Sequence, residues 1–397
     1  MSRLNGFRFI ERMENMRRFG KRFFSGFLCV ALAAVASLGA SANASGQTPE
    51  TDANYRAVLL YNEILSMSSS RSASDFHQGY GGAYIDAQDK LHVWLTEEAS
   101  DSLSTTIREK NRSLVVEKAA YSFAYLSENL EILREHEETL SSATAFSNGI
   151  SERDNRIVIG IKNASQENIG KVKALEGLDA NTLLFEEEKG EIGRCSSTVA
   201  SAGNMVNNGK SAVTVGFGCQ YDGFDGFITV GHGLTAWQNV YQGNSAQGNK
   251  VGTVTRRTLS TTMDASFIRS DANKEPGAKV LTNGFFGGVN QRLITPEGTK
   301  VRKIGGISGN KIGVVNGNNR NVDFGDGVGM SSGFTTIDMS VIPGDSGAPI
   351  VMNALDTDNG GYILEGMTIG VSGGTAYYYS YMRIRDAMRV SILPYFS

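Results

Sequence analysis

Histidine, cysteine, proline and tryptophan are all scarce in this chain of 397 residues, which holds four His, three Cys, six Pro and two Trp. Three cysteines are too few for a disulfide scaffold or a cysteine-rich zinc module. The histidines, His77, His92, His136 and His232, are dispersed and show no metal-ligand spacing, so no metal and no cofactor is expected. Six prolines leave no proline-rich linker. A strong charge of one sign is missing too: the net charge is −3, which excludes a dedicated nucleic-acid binder. The longest apolar run, "FLCVALAAVASLGA", is short for a membrane span and ends in small residues.

That run has a different use. It follows the basic stretch "MRRFGKRFF" from Met16 and precedes "ANA" at Ala42 to Ala44, the small-x-small pattern of a cleavage site. Residues 1–44 therefore read as a signal peptide, and the protein as secreted. Cleavage would remove Cys29 and leave Cys195 and Cys219, which in an exported chain read as one disulfide, two free thiols being the alternative.

The remainder divides by composition. Residues 45–190 hold 14 basic and 24 acidic residues; residues 191–397 hold 17 and 15. Of 47 glycines, 34 fall from Glu191 onward. The change, around "EEEKGEIGRC", marks a boundary between residues 45–190 and 191–397. In the first part "NYRAVLLYNEIL" and "AAYSFAYLSENLEILREHEETL" have helical apolar spacing, while "KLHVWLT" and "NRIVIGIK" read as strands, which predicts a small α+β unit. In the second part short β-forming runs recur between Gly, Asn and Asp turns, and helical periodicity returns only at "MRIRDAMRVSIL". That pattern predicts an all-β barrel or sandwich with a C-terminal helix.

Three points in the β text carry chemistry. His232 follows the strand-like "GFITVGH", Asp264 opens "DASFIRS", and Ser346 lies in "IPGDSGAPIV". A serine hydroxyl is a poor nucleophile until an imidazole takes its proton, and the imidazolium needs a carboxylate on its other nitrogen. The developing oxyanion needs N–H donors, and the glycine before Asp345 lets the backbone turn those of Gly344 and Ser346 inward. The order His, Asp, Ser, with gaps of 32 and 82 residues, excludes the α/β-hydrolase arrangement, in which the serine comes first. Each residue alone has a structural reading; the three in order point to a catalytic triad.

"FITVGHG", "MDASFI" and "PGDSGAPI" resemble the triad segments of chymotrypsin-fold serine proteases, most closely the bacterial branch of streptogrisins and α-lytic protease. The resemblance implies a double six-stranded β-barrel with the site between the barrels. It implies His232 as base, Asp264 as orienting acid and Ser346 as nucleophile. "GMTIGVSGGTAYYY" resembles the strand that pairs with substrate, so Ser372, Gly373 and Gly374 would line the specificity pocket. Val371 precedes Ser372, and no acid is evident near Ser340 to Ile342, which implies an apolar or aromatic preference. Asp345 needs an internal cation, for which "KVRKIGG" offers Lys303, with Arg302 as the neighbouring alternative. Gly233 and Val213 stand where the branch carries its usual small disulfide.

Residues 45–190 resemble the branch's pro-regions, which implies a folding aid and intramolecular inhibitor, with processing near Glu187 to Arg194. The expected protein is a monomeric secreted serine endopeptidase made as a precursor, acting on protein or peptide substrates. The alternatives are a catalytically silent homologue that binds peptides or surfaces, and a secreted hydrolase of small esters. The 51 residues after Ser346 leave no room there for the peptide-binding module of a quality-control protease.

Overall fold

The computed structural model describes residues 53–67, 78–99, 101–110, 114–187, 192–194, 205–242, 249–271, 279–280, 284–290, 294–356, 361–372 and 374–393. The expected signal peptide, His77, Cys195 and Gly373 lie outside the described residues.

The described residues are mostly β, with five full α-helices described between residues 53 and 173 and one, Tyr381–Met388, near the C-terminal end. The periodic segments become helices Ala53–Ser66 and Phe123–Glu135. Ser122 and Ser380 cap their helices through side-chain oxygens that accept from the amides of Tyr125 and Arg383. Strands Tyr80–Ile85, Leu91–Leu95 and Val115–Lys118 form a small sheet of their own.

The C-terminal half builds two larger sheets. One is an open path of eight strands in which Phe224–Thr229 and Asp264–Ser270 are central neighbours. Both are buried over most of their length. The other runs strand to strand in a circuit of six: Pro349–Asp356, Lys300–Gly305, Gly309–Val322, Ser331–Asp338, Thr375–Ser380, Gly361–Ser372, and back to the first. The main core lies between these sheets, around Phe217, Ile228, Phe267, Ile268, Phe334 and Tyr379.

The composition boundary does not interrupt this second sheet. Strands Ala145–Ser151, Arg156–Ile161 and Leu183–Glu187 extend it, because Asn148 and Ser147 pair antiparallel with Asn321 and Val322. The short strand Ile192–Arg194 pairs antiparallel with Gly370–Ser372. Among the described residues, no helix is long and apolar enough to cross a membrane.

Candidate active site

His232 and Asp264 stand at the ends of neighbouring strands of the eight-stranded sheet, and Ser346 lies in a loop of the other large sheet. His232 follows Phe224–Thr229 by a short turn, and Asp264 opens the strand that pairs with it. The pairing of Thr229 with Ser266 brings the two ends together. Asp264 is fully buried and accepts three hydrogen bonds: from His232 Nδ1 at 2.6 Å, the Gly231 amide at 2.7 Å and the His232 amide at 2.9 Å. This grip fixes both the imidazole plane and its tautomer, leaving Nε2 as the basic nitrogen. Nε2 is buried and has no hydrogen-bond partner among the described residues.

Ser346 comes from the loop between Ser331–Asp338 and Pro349–Asp356. The loop is shaped by glycine: Gly344 has φ +99° and Gly347 φ +92°. A Cβ on Gly347 would stand 2.0 Å from the carbonyl oxygen of Thr214, so no other residue fits. Thr214 stitches the two sheets at this point. Its hydroxyl donates to Gly344 O at 2.6 Å, its amide to Ser346 O at 2.8 Å, and its carbonyl accepts from Thr229 Oγ1 at 2.6 Å. With the Gly344 carbonyl held this way, the amides of Gly344 and Ser346 donate to no backbone acceptor among the described residues.

The structure does not bring Ser346 Oγ into a hydrogen bond with His232. The hydroxyl donates instead to Ile369 O at 2.9 Å, and the side chain is fully buried. Ser346 Oγ and His232 Nε2 thus make no hydrogen bond to each other. Ile369 is adjacent to Gly370, where the strand Ile192–Arg194 begins its pairing, and the carbonyl of Gly193 lies against Gly370.

Between the two sequence candidates for the cation, the structure chooses Lys303. Residues 301, 303, 304 and 305 of its strand are buried, and Lys303 Nζ lies 2.5 Å from Asp345 Oδ2 with both side chains fully buried. Ser308 Oγ at 2.5 Å and the amides of Ser308, Ile307 and Ile342 at 3.1, 3.2 and 3.3 Å complete the carboxylate's shell. Burial alone would raise Asp345, but the bonds from Lys303 and Ser308 outweigh it and hold the carboxyl below its ordinary value. Arg302 points the other way, its guanidinium over the Tyr362 ring.

Of the expected pocket residues, Ser372 is buried with a hydroxyl that has no partner among the described residues, and Gly374, φ +94°, leads into Thr375–Ser380. Cys219 is a buried cysteine in strand Phe217–Tyr221, its thiol pushed up by burial. The residues that sequence reasoning missed are Thr214 and Ser308. Each is one polar residue among many in β text, and only the pairing of distant strands shows its use.

No family model matches the chain, and no curated protein matches it. Solved structures do. A glutamic-acid-specific serine protease, described as using a histidine triad in substrate binding, is 22% identical, with 48% of this chain and 99% of that one covered and a TM-score of 0.40. Thermobifida fusca protease A is 19% identical, covering 49% and 99%, with a TM-score of 0.40. A Nocardiopsis protease is 20% identical, covering 50% and 99%, with a TM-score of 0.38. At these scores the likeness bears on neither the catalytic residues nor the substrate.

Proposed function

We propose that this chain is the precursor of a secreted serine endopeptidase with a chymotrypsin-like double barrel, in which residues 191–397 carry the catalysis. The observation that carries the reading is the buried His232–Asp264 pair, its Nε2 unpartnered among the described residues, together with a glycine-shaped loop around Ser346 in which the amides of Gly344 and Ser346 donate to no backbone acceptor among those residues. In the reaction His232 Nε2 takes the Ser346 proton as Oγ attacks the substrate carbonyl carbon. Asp264 steadies the imidazolium, and the amides of Gly344 and Ser346 hold the oxyanion, each contributing about 10²–10³-fold in rate. Nε2 then gives the proton to the leaving amine, and a water deprotonated by the same nitrogen releases the acyl group.

The Ser346 hydroxyl must first turn from Ile369 O toward His232. That parked state, with Ile192–Arg194 lying on the strand that ends at Ser372, supports a latent precursor in which residues 45–190 act as an intramolecular inhibitor. An extended peptide would take the place of residues 192–194 on that strand edge. Ser372, Gly373 and Gly374 would line its pocket, which suits an apolar or aromatic side chain. The disulfide between Cys195 and Cys219 belongs to the same proposal.

A fluorophosphonate probe tests the reading. Secreted, processed protein should label and its Ser346→Ala variant should not. Labelling that survives the substitution removes Ser346 from the role of nucleophile; a folded, processed wild type that never labels favours the silent homologue.

A further inference from the structure

The contact between residues 53–187 and the C-terminal half has an unusual centre. The turn at Pro296 to Thr299 projects from the second large sheet as a peg. Its backbone is held by the N-terminal part: Ile85 N donates to Glu297 O at 2.6 Å, Asn54 Nδ2 to Gly298 O at 3.0 Å, and Lys300 N to Asn54 Oδ1 at 2.8 Å. Gly298, φ +89°, is the only residue that fits, since a Cβ there would stand 1.9 Å from Ile85 O. The tip of the peg is the carboxyl of Glu297, 1% exposed. It accepts from the Glu152 amide at 2.8 Å, the Arg153 amide at 3.2 Å and Ser151 Oγ at 3.3 Å.

A second carboxyl stands beside it. Glu152, also 1% exposed, belongs to the other part of the chain and is held by Ala83 N at 2.8 Å, Tyr61 OH at 3.2 Å and Tyr80 OH at 3.3 Å. The groups facing this pair are Tyr61 from helix Ala53–Ser66, Tyr80 from strand Tyr80–Ile85, Asp154 from the turn and Arg320 from strand Gly309–Val322. Arg320 favours ionised Glu297 but is itself engaged by the carbonyls of Gly149 and Val158. Arg153 lies over the Tyr84 ring and donates to Ile85 O. Two acids are thus enclosed at one interface, one from each side, with less positive charge than they need.

We propose that this surface is a proton-operated latch: it holds residues 53–187 against the C-terminal half while the Glu152–Glu297 pair carries protons, and loosens when both acids ionise. Burial pushes Glu152 up to about 8, the charge of Glu297 adding to the effect and the Ala83 amide opposing it. Burial likewise pushes Glu297 up to about 7, with Arg320 opposing. Once separated, both return to an ordinary carboxylate value near ~4.3. The docked state therefore holds protons that the open state gives up between these limits. Docking is strongest in acid and weakens as pH rises through 7 and 8, by roughly hundred- to thousandfold between pH 6 and pH 8. If the protease reading holds, a rise in pH releases the covering part. The latch itself does not depend on that reading.

The test uses the full chain carrying Ser346→Ala, so that self-cleavage cannot intrude. Hydrogen exchange of the amides at 151–154 and 297–300, corrected for the intrinsic rate, reports opening. Opening should rise by about a hundredfold or more from pH 6 to pH 8, and the rise should shrink to within about threefold in Glu152→Gln/Glu297→Gln. Infrared spectroscopy supplies a reading that needs no folded variant: the band of protonated carboxyl should titrate away between pH 6 and pH 9. Opening that ignores pH, an unchanged rise in the double variant, or no protonated band at pH 6 overturns the latch. A chain that shows the latch yet never labels with the fluorophosphonate loses the protease reading alone.

Discussion

Substituting Lys303 with Met should be the most damaging single change outside the triad. The side chains are of similar volume, so the loss is electrostatic. At 2.5 Å and an effective dielectric of about 20, the attraction between Lys303 and Asp345 is about 7 kcal/mol, most of it spent on desolvating the two groups. Removing the lysine leaves Asp345 buried with the Ser308 hydroxyl and three amides as its only donors among the described residues. The expected loss of folding free energy is about 3–5 kcal/mol at pH 7. The sign of its pH dependence follows from the shift. Asp345 is held below the ordinary carboxylate value, so its stabilisation is present at neutral pH and is lost as pH falls through its folded value. The gap between Lys303→Met and its parent should therefore narrow in acid. Urea unfolding in a Ser346→Ala background, at neutral and acid pH, measures this. The double variant Lys303→Met/Asp345→Asn should recover at least about half of the loss, because it leaves no stranded charge. A loss below about 1 kcal/mol at pH 7, or a double variant no better than the single one, refutes the reasoning.

Asp264→Asn should leave the fold intact while lowering kcat about 10⁴-fold, since an amide that donates to Nδ1 forces the wrong tautomer on His232; peptide hydrolysis within about tenfold of the parent would remove Asp264 from its role. Intact-mass measurement of alkylated, unreduced secreted protein should show no free thiol if Cys195 and Cys219 are paired, whereas two alkylations would end the disulfide proposal.

The candidate site was legible because its chemistry leaves local marks. A serine that must expose two amides needs glycines on both sides, and "PGDSGAP" shows them; the apolar strands before His232 and after Asp264 are short-range text as well. Lys303 against Arg302 was not legible, because the choice depends on which face of the strand Lys300–Gly305 turns inward, and that is set by pairing with Gly309–Val322 and Pro349–Asp356. The same limit hid the junction of the two parts. "NRIVIGIK" reads as a strand and is one, Arg156–Ile161, but nothing in the text before it announces that Ser147 will pair with Val322. In the sequence Glu297 is one acid within "TPEGTK" and Glu152 one acid within "SERDNR". Their burial is a property of the assembled surface. The resting direction of the Ser346 hydroxyl is a rotamer, which spacing cannot encode.

The Thr214 stitch has a consequence for how the cleft opens and shuts. One residue of the first sheet is bonded at once to the loop that carries Ser346, through Gly344 and Ser346, and to the strand leading to His232, through Thr229. The two sheets are therefore riveted at the spot where a hinge would have to bend. Swinging them apart would break the bonds of Thr214 to Gly344 and Ser346. Under the proposed protease reading, access to Ser346 is then controlled by what lies along the Gly370–Ser372 edge, in the manner of a sliding bolt rather than a door.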